Sequence, residues 1–563
     1  MKVTEHIAQA KETLFSFEIL PPLKGKSIQS IYDGIDPLME FKPKYVNVTY
    51  HREEYIYKEH DNGLLEKISV RKRPGTVGIC AAIMNKYHVD AVPHLICGGF
   101  SKEETENALI DLQFLGIDNV PRKAITMGIG TVRNAKRIVL LGWGISKAGI
   151  IKKTIEGEIS SRVPATYLQE HSNTTFVLDT EASSELTRVK TPWLVRSCIW
   201  TEELKLKAVA WLSELTKKPF LKLTDKDYND NGMSSLLTEE GTAYDLNIKM
   251  FNKMQQTITG WPGGKPNADD TNRPERALPA TKRVIIFSPH PDDDIISMGG
   301  TFQRLVDQGH DVHIGYQTSG NIAVADDEAI RFIDFVVDFN EKFESPNAKA
   351  NRIYKEAIKF LRNKPDSEID IPAVREIKGL IRKGEAKNTC RFVGIKKENA
   401  HFLELPFYET GTIRKKPIGE KDIQIVMDLI EEIQPHQIYA AGDLADPHGT
   451  HKVCLDAIME AVTRLKHREY MKNCWVWLYK GAWAEWDIDQ IEMAVPMSPD
   501  QVFKKRMGIF KHQSQKDGVV FQGDDSREFW QRAEERNRAT ASIYNALGLA
   551  EYEAMEAFVR WKF

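Results

Sequence analysis

The sequence predicts a multidomain α/β protein. The chain has 563 residues, more than one hydrophobic core usually organises, so two to four domains are expected. Apolar runs of strand length alternate with helical patterns in three successive blocks, and such alternation is typical of parallel sheets. Hydrophobic residues make up 42% of the chain and charged residues 28%, as in other folded globular proteins.

Charge and composition exclude several classes of partner. The formal net charge is −3, which does not favour nucleic acid or an acidic membrane surface. The N-terminus lacks the apolar core of a signal peptide, and no apolar run approaches the roughly 18 residues of a transmembrane helix. The scattered cysteines form no C-x-x-C pair and favour reduced thiols. We therefore predict a cytoplasmic protein without membrane insertion, and a homo-oligomer is left open.

The first block, residues 1–120, alternates strands with helices. The predicted strands are 15–18, 45–49 and 91–95, and the predicted helices are about 77–87 and 102–115. This order is typical of a parallel sheet or a barrel. A further strand begins near residue 118 and meets P-R-K at 121–123, where the pattern changes without a linker composition.

The second block, residues 121–275, is also α/β in pattern. It has predicted strands at 138–141 and 175–178, and a helix at 148–156. A glycine-containing turn at 142–147 opens that helix, where backbone N–H groups and the helix dipole favour anions such as phosphate. A plain strand-to-helix turn explains the same residues. The rest is mostly helical in pattern and ends in a Gly/Pro-rich linker at 260–270.

The third block, residues 276–563, has the most complete α/β pattern. Its predicted strands are 284–287, 312–316, 401–405 and 437–440, with helical patterns between them. The sequence S-P-H-P-D-D-D at 288–294 follows the first of these strands directly. Because ligands bind at the carboxyl ends of strands in open α/β sheets, this cluster predicts metal-dependent chemistry.

A second loop offers the remaining metal ligands. Residues 446–451, D-P-H-G-T-H, follow the strand at 437–440, with Asp446 as the expected N-cap of a helix. His448 and His451 would then share a face of its first turn. His290 and Asp293 would supply two metal ligands, and the third would come from this second loop. A site of two histidines and one carboxylate is chemically sensible and suits zinc or ferrous iron. The alternative is a Pro/Asp-rich turn and an ordinary capped helix.

These residues resemble the signature of the LmbE/PIG-L family of zinc-dependent N-acetylglucosaminyl deacetylases. The family pattern is a strand, P-H-P-D-D, G-G-T and a later H-x-x-H, and the resemblance covers most of residues 282–563. It implies a Rossmann-like domain in which His290, Asp293 and His451 hold the metal. Asp292 would be the general base that activates the attacking water.

The same resemblance implies roles for three more residues. His448 would steady the oxyanion of the tetrahedral intermediate or protonate the leaving amine. Arg382 would contact the substrate, although a solvated charge on a helix face is an equal alternative. Glu409 would contact the sugar. The implied reaction removes acetate from a small-molecule amino-sugar substrate.

The second block resembles the C-terminal half of glucosamine-6-phosphate deaminase/isomerase proteins. Residues 120–131, V-P-R-K-A-I-T-M-G-I-G-T, are followed by a strand, by G-I-S-K-A at 144–148 and by a helix ending in E-G, as in that family. The resemblance implies a partial α/β domain in which Lys147 contacts the sugar phosphate. Since the family's catalytic carboxylates and histidine have no counterpart here, a sugar-phosphate-sensing module is a second hypothesis.

The first block resembles methylenetetrahydrofolate reductase over about residues 12–120. F-S-F-E-I-L-P-P at 15–22, V-T-Y at 48–50 and P-H-L at 93–95 occur in that family's order. The resemblance implies that Glu18 protonates the folate and that Thr49 and His94 line an FAD site. Three ordinary polar residues at strand ends are the alternative.

The implied TIM barrel would be truncated. A closed barrel has eight βα units, and three are complete here before the pattern changes near residue 120. An open half barrel exposes sheet edges and an apolar face, so we predict poor packing around residues 100–140 and doubtful reductase activity. The leading hypothesis is therefore a zinc-dependent deacetylase in the third block, with flavin-dependent reduction and sugar-phosphate sensing as rivals.

Overall fold

The computed structural model describes most of the chain outside its N-terminal quarter. The described residues are 6, 9–10, 14–22, 27–49, 54–59, 65–70, 76–94, 129–268, 271–343, 348–364, 369–409, 415–442, 449–482, 485–516 and 527–563. The chain divides into two compact units, residues 1–136 with 363–368, and residues 137–362 with 369–563.

The strands fall into four sheets. They are β1 (Phe17–Ile19), β2 (Tyr45–Val48), β3 (Glu54–Glu59), β4 (Leu65–Val70), β5 (Asp90–Pro93), β6 (Ile138–Gly142), β7 (Thr174–Leu178), β8 (Arg283–Ser288), β9 (Asp311–Tyr316), β10 (Ala400–Phe402), β11 (Gln437–Ala441), β12 (Trp475–Tyr479), β13 (Met493–Met497) and β14 (Ala554–Trp561).

The α-helices lie between and after these strands. They are α1 (Gln29–Ile35), α2 (Thr76–Tyr87), α3 (Ile129–Arg133), α4 (Ala148–Glu156), α5 (Thr187–Lys190), α6 (Glu202–Thr216), α7 (Asp225–Asp230), α8 (Ser234–Glu240), α9 (Ala243–Thr257), α10 (Asp293–Asp307), α11 (Asp326–Lys342), α12 (Ala348–Asn363), α13 (Pro372–Val393), α14 (Glu420–Ile433), α15 (Thr450–Leu465), α16 (Pro499–Ile509) and α17 (Phe529–Ala546).

Short 3₁₀ segments connect many of these elements. They are Asp36–Phe41, Ile145–Lys147, Pro164–Glu170, Pro192–Leu194, Phe220–Lys222, Pro274–Arg276, Asn321–Ala323, Lys397–Asn399, Glu469–Asn473 and Gln513–Gln515.

The first unit contains a small parallel sheet in the order β1-β2-β5. Its core is formed by aliphatic side chains from α1, α2 and the strands, such as Ile35, Val48 and Ile83. Within the described residues this sheet has three parallel strands, and the apolar side chains of Phe15 and Leu20 beside β1 are each 55% exposed. The hairpin β3–β4 was not predicted, because both strands are rich in charged residues.

The second unit is built on a mixed seven-stranded sheet in the order β10-β9-β8-β11-β12-β14-β13. The first five strands are parallel, and β14 is antiparallel to both of its neighbours. The chain runs from β8 outward to β9 and β10, and then returns to the other side of β8 as β11. This reversal makes the carboxyl end of β8 the topological switch point, where open α/β sheets bind ligands.

Both faces of this sheet are covered, which explains its continuous apolar strands. One face packs with α10 and α13, through residues such as Ile286 and Phe302. The other face packs with α14 and α15, through residues such as Ile285 and Leu429. The predicted α/β multidomain fold class is confirmed.

The helices of the second block share a core with the third block. Threonine side chains cap α6 and α9 at their N-termini, as Thr201 and Thr242 accept backbone N–H groups of the first turn. Their apolar faces pack with α17, β13 and β14 in one cluster that includes Leu212, Met254 and Tyr544. The predicted domain boundaries at residues 120 and 275 stay predictions.

Most of the strands and helices predicted on described residues are observed. The helix predicted at 148–156 has those bounds as α4. The strand predicted at 401–405 is shorter, because Glu404 has a positive φ of 47° that interrupts extended structure. The helix predicted at 102–115 lies outside the described residues, as does most of the segment 100–140. Among the described helices, none combines the length and apolar character needed to span a bilayer.

Candidate metal centre

The loop after β8 positions His290 and Asp293 at the switch point. The backbone N–H of Asp292 donates to the carbonyl of His290 at 2.8 Å, which closes a tight turn. The backbone N–H of His290 donates to Oδ2 of Asp293 at 2.9 Å. Asp293 is the first residue of α10, where the helix dipole stabilises a carboxylate.

His451 reaches the same point from the helix after β11. That helix, α15, begins at Thr450, with Gly449 before it in a left-handed conformation (φ 68°). Asp446 was predicted as the N-cap, whereas Gly449 occupies that position and the helix begins at Thr450. His448 and Asp446 lie outside the described residues.

The three predicted metal ligands converge. One ligand atom from each of His290, Asp293 and His451 lies within 4.8 Å of the others. Oδ2 of Asp293 is 3.2 Å from Nδ1 of His290 and 3.2 Å from Nε2 of His451. The two imidazole rings have centroids 5.3 Å apart. Two imidazoles and one carboxylate at these separations fit a zinc or ferrous ion with open positions.

The electrostatics favour an anionic ligand at Asp293. Burial acts to raise the pKa of its carboxyl, but the imidazoles of His451 and His290 lower it well below its usual range. A carboxylate and neutral imidazoles are the protonation states in which these side chains bind metals. The donor set therefore fits a divalent cation.

Asp292 stands beside this triad and pairs with Arg382. Nη2 of Arg382 lies 3.2 Å from Oδ1 of Asp292, and both side chains are buried. Burial acts to lower the pKa of Arg382, and the charges of Asp292 and Glu385 raise it. Nε and Nη1 of Arg382 have no hydrogen-bond partner among the described residues. The solvated-charge alternative for Arg382 is therefore wrong, because its side chain is buried in an ion pair.

Glu409 lies next to the site but is held by the protein. Its carboxylate accepts from the backbone N–H of Ser319 at 3.2 Å and from Nδ2 of Asn321 at 3.1 Å. Burial raises the pKa of this carboxyl. The neighbouring Tyr408 places its ring centroid 6.0 Å from that of His290. A sugar-contacting role for Glu409 stays a prediction.

The third aspartate of the loop has a structural environment that the sequence did not reveal. Asp294 is fully buried and accepts hydrogen bonds from the hydroxyls of Tyr316 at 3.0 Å and Ser288 at 3.3 Å. Burial raises the pKa of this carboxyl to about 7. The Ser288 hydroxyl also donates to the carbonyl of His290 at 2.5 Å, so this network holds the ligand loop in place.

The segment after α16 also borders the site. His512 is buried, and its Nε2 is 2.9 Å from the hydroxyl of Thr389. Burial lowers the pKa of His512 well below its usual range, and the charge of Arg382 lowers it further. Ser514 donates its backbone N–H and its hydroxyl to Glu385, each at 2.7 Å. The sequence H-Q-S-Q at residues 512–515 gives no indication of this contact by its spacing.

The glycines of G-G-T allow close packing behind the loop. A Cβ at Gly300 would lie 2.1 Å from Sδ of Met497, and one at Gly299 would lie 2.9 Å from Cγ of Lys505. Helix α10 is kinked at Met298 (φ −136°, ψ 30°), which frees backbone N–H groups beyond the kink. Glu556 of β14 accepts two of these N–H groups.

Lys147 lies apart from this sheet. It ends the 3₁₀ segment Ile145–Lys147 after β6, on the separate β6–β7 sheet, and its side chain is exposed. In the same turn the backbone N–H of Gly144 donates to the carboxylate of Asp179 at 3.0 Å. A protein carboxylate thus already occupies one of the N–H groups expected to bind phosphate.

In the first unit, Thr49 and His94 follow the carboxyl ends of two neighbouring parallel strands, and Glu18 is the central residue of the adjacent strand β1. Glu18 is exposed on β1 and aligns with Asn47 of β2. Thr49 follows β2 and donates its hydroxyl to the carbonyl of Ile19 at 3.2 Å. His94 follows β5. The sheet therefore brings Thr49 and His94 to one edge, and the reductase role of all three residues stays a prediction.

Two family models match the chain. Residues 285–462 match the PIG-L model, described as GlcNAc-PI de-N-acetylase. Residues 2–121 match the model of methylenetetrahydrofolate reductase. Both resemblances found in the sequence are confirmed.

Relatives of most of the chain and of a short segment of it were also found. A putative glucosamine-6-phosphate deaminase-like protein from Bacteroides thetaiotaomicron is 56% identical over 448 residues, which cover 79% of this chain and 68% of that protein. A glucosamine-6-phosphate deaminase from Thermoanaerobacter is 51% identical over 71 residues, 13% of this chain. The chain spans only 28% of that deaminase's length.

Among solved structures, the N,N'-diacetylchitobiose deacetylase from Pyrococcus horikoshii is similar, with 18% identity and a TM-score of 0.32. The match covers 50% of this chain and 84% of that one. The resemblance of the second block to glucosamine-6-phosphate deaminase is confirmed by the relatives. The chain belongs to the family of the Bacteroides thetaiotaomicron glucosamine-6-phosphate deaminase-like protein, and it carries a PIG-L domain at residues 285–462.

Proposed function

We propose that residues 276–563 catalyse the metal-dependent removal of an acetyl group from an N-acetylglucosamine-type substrate. The observation that carries this proposal is the convergence of His290, Asp293 and His451 at the switch point of the sheet. The match to a de-N-acetylase model supports the choice of an acetamide as the bond that is cleaved.

In this proposal the metal ligands, Asp292 and Arg382 divide the chemistry between them. A zinc or ferrous ion held by the triad would polarise the acetamide carbonyl and make water more acidic. Asp292, which is outside the donor set, takes a proton from the attacking water as general base. Arg382 orients Asp292 through their ion pair. Water adds to the carbonyl carbon, the C–N bond breaks, and the proton goes to the departing amine, leaving acetate and a free amine.

Substrate contacts complete the proposal. Nε and Nη1 of Arg382 are buried donors beside Asp292, so a hydroxyl or carbonyl oxygen of the sugar can accept from them. Glu409 would accept from a sugar hydroxyl. His448 would steady the oxyanion or protonate the amine, on the family resemblance alone.

Acetate release and metal content test this function together. Purified protein is loaded with zinc or ferrous ion and supplied with N-acetylglucosamine, its 6-phosphate and N,N'-diacetylchitobiose. We expect acetate release from at least one of them. Asp292→Asn should keep the metal and lose activity by about 10²–10⁴-fold, as expected for loss of a general base. His451→Gln should lose both metal and activity.

Asp307→Asn serves as the matched control, because Asp307 is exposed at the other end of the same helix. It should retain full activity and metal content. Full activity in Asp292→Asn or in His451→Gln would contradict the assignment.

A second candidate function concerns the second block. The deaminase relatives favour an amino-sugar phosphate as a ligand, with Lys147 contacting the phosphate. Glucosamine 6-phosphate should then raise the melting temperature of the wild type and of Lys153→Ala, but not of Lys147→Ala. An equal shift in all three proteins would reject Lys147 as the contact.

The first block carries the remaining hypothesis. Glu18, Thr49 and His94 would serve an FAD-dependent reductase only if their fragment is functional. Flavin absorbance in the purified protein would support this activity, and its absence after incubation with FAD would count against it. Cytoplasmic localisation and homo-oligomer formation also stay predictions.

A further inference from the structure

Two histidines form a close pair on neighbouring strands of the large sheet. Nδ1 of His313 on β9 lies 3.0 Å from Nε2 of His401 on β10. Their ring centroids are 5.3 Å apart, the same separation as that of His290 and His451 in the metal centre. Two nitrogens that each lie about 2.0–2.1 Å from a common zinc ion are separated by a distance similar to the 3.0 Å between these two ring nitrogens.

A carboxylate supports one ring of this pair from behind. Oδ2 of Asp311 is 3.4 Å from Nε2 of His313, the ring nitrogen that faces away from His401. Asn399 donates its Nδ2 to Oδ1 of the same carboxylate at 3.0 Å, which fixes its position. Histidines that bind metals commonly donate their second ring N–H to a carboxylate, which orients the ring and makes the ligand nitrogen more basic.

The sheet register places both rings on one face and away from the deacetylase site. Ala400 pairs with Ile314 and His401 with Gly315, so His313 and His401 are diagonal neighbours. His313 precedes the carboxyl end of β9 at Tyr316 by three residues, or about 10 Å of strand. Its side chain is 15% exposed and that of Asp311 is 47% exposed, so solvent ions can reach the pair.

The protonation of His401 suits a ligand. Burial lowers the pKa of its ring, and the neighbouring His313 lowers it further. Neutral imidazole is the form that binds metals. The carboxylate of Glu432 on α14 acts on the same ring and adds negative charge nearby.

We propose that His313 and His401 bind a second divalent ion of the late transition series, such as Zn²⁺ or Ni²⁺, with Asp311 as an outer-sphere positioning residue. Imidazole nitrogens favour these metals over Mg²⁺ and Ca²⁺. Water would complete the coordination. The bound ion would tie the edge strand β10 to β9.

Metal binding to the chelator-stripped full chain tests this site. Equilibrium dialysis against Zn²⁺, and separately Ni²⁺, should give one more bound equivalent for the wild type than for His401→Gln or His313→Gln. Asp311→Asn should bind the same number of equivalents but weaken this site by about 10–100-fold. Because the readout is a difference between variants, it does not depend on how many ions the centre at His290 holds.

His467→Gln is the matched control, because His467 is exposed outside this cluster. It should bind as many equivalents as the wild type, with unchanged affinity. Melting curves without metal show whether each variant is folded, and Asp311→Asn, which changes an exposed carboxylate, keeps the test valid if a histidine variant fails to fold. Equal stoichiometry and affinity in the wild type and in all of the His313, His401 and Asp311 variants would overturn the proposal and leave a hydrogen bond between two imidazole rings.

Discussion

Nη2 of Arg382 lies 3.2 Å from Oδ1 of Asp292, and this pair is buried beside the metal-ligand triad. Helix α13 contributes the arginine and the loop after β8 contributes the aspartate, so the pair joins two elements that are distant in sequence. The arginine therefore orients the proposed general base, and the proposed contact with substrate would be its second role.

A double-mutant cycle separates these two roles of Arg382. We expect Arg382→Met to lower kcat/KM by about 10²-fold or more, because general-base catalysis contributes about 10²–10⁴-fold. In the Asp292→Asn background the same change should have little further effect on kcat, since residues that act as a unit are not additive. A rise in KM that persists in that background measures the substrate contact.

Arg391→Met is the control for this cycle, because Arg391 is exposed on the same helix. It should leave kcat and KM unchanged. Fully additive losses in kcat would show that Arg382 does not act through Asp292.

The close packing of Gly300 against Met497 predicts that a larger residue at position 300 destabilises the fold. In Gly300→Ala the new methyl group would meet Sδ of Met497 at 2.1 Å. We expect a loss of about 1–3 kcal/mol in the free energy of unfolding, the usual cost of overpacking. Met497→Ala should cost less in the Gly300→Ala background than in the wild type, because it also removes the clashing atom. Urea denaturation measures both variants.

Gly149→Ala is the matched control within a helix. A Cβ at Gly149 meets nothing within 4 Å, so the substitution should stabilise α4 by about 0.5–1 kcal/mol through helix propensity. If Gly300→Ala proved as stable as the wild type, the packing argument would be wrong.

A buried ion pair supports the kinked helix α10. Glu556 accepts from Nζ of Lys505 at 2.7 Å and from the backbone N–H groups of Gly300 at 2.9 Å and Thr301 at 2.6 Å. We expect Glu556→Gln to lower the free energy of unfolding by about 3–5 kcal/mol, because it leaves the charge of Lys505 buried without its partner. The double variant Glu556→Gln/Lys505→Met should lose less than the sum of the two single losses. Additive losses in urea denaturation would contradict this coupling.

Two histidines predict how stability depends on pH. Nδ1 of His310 accepts from the backbone N–H of Lys282, and Nδ1 of His436 accepts from that of Arg283. Burial, followed by these neighbouring cations, lowers the pKa of each ring to about 4. The unfolded chain binds these protons near the ordinary pKa of 6.5, so the contribution of these two rings to stability should be constant above that pH and be lost between pH 6.5 and 4.

Denaturant titrations between pH 4 and 8 measure this dependence. His310→Asn and His436→Asn keep a side-chain oxygen where Nδ1 accepts, and each should flatten the slope by up to one proton. An unchanged slope in both variants would assign the acid sensitivity to other groups.

Much of the candidate site could be predicted from the sequence. His290 and Asp293 are close because they are three residues apart after one strand, and His451 follows a strand that borders the same switch point. The start of α15 was predicted too early, because the conformation of Gly449 depends on the loop before it. The burial of Arg382 could not be read from its own helix, where it resembles an ordinary charged residue.

The local sequence pattern by itself determined the α/β class, most strands of the large sheet and the resemblances to three protein families. These features depend on side-chain periodicity and on motifs short enough to be recognised along the chain. The tertiary structure alone decided that Arg382 pairs with Asp292, that Glu556 supports α10 and that His313 faces His401. Each of these contacts joins residues that are distant in sequence and that meet only when separate helices and strands pack together. Burial strengthens the polar interactions, because the interior has a lower effective dielectric constant than water.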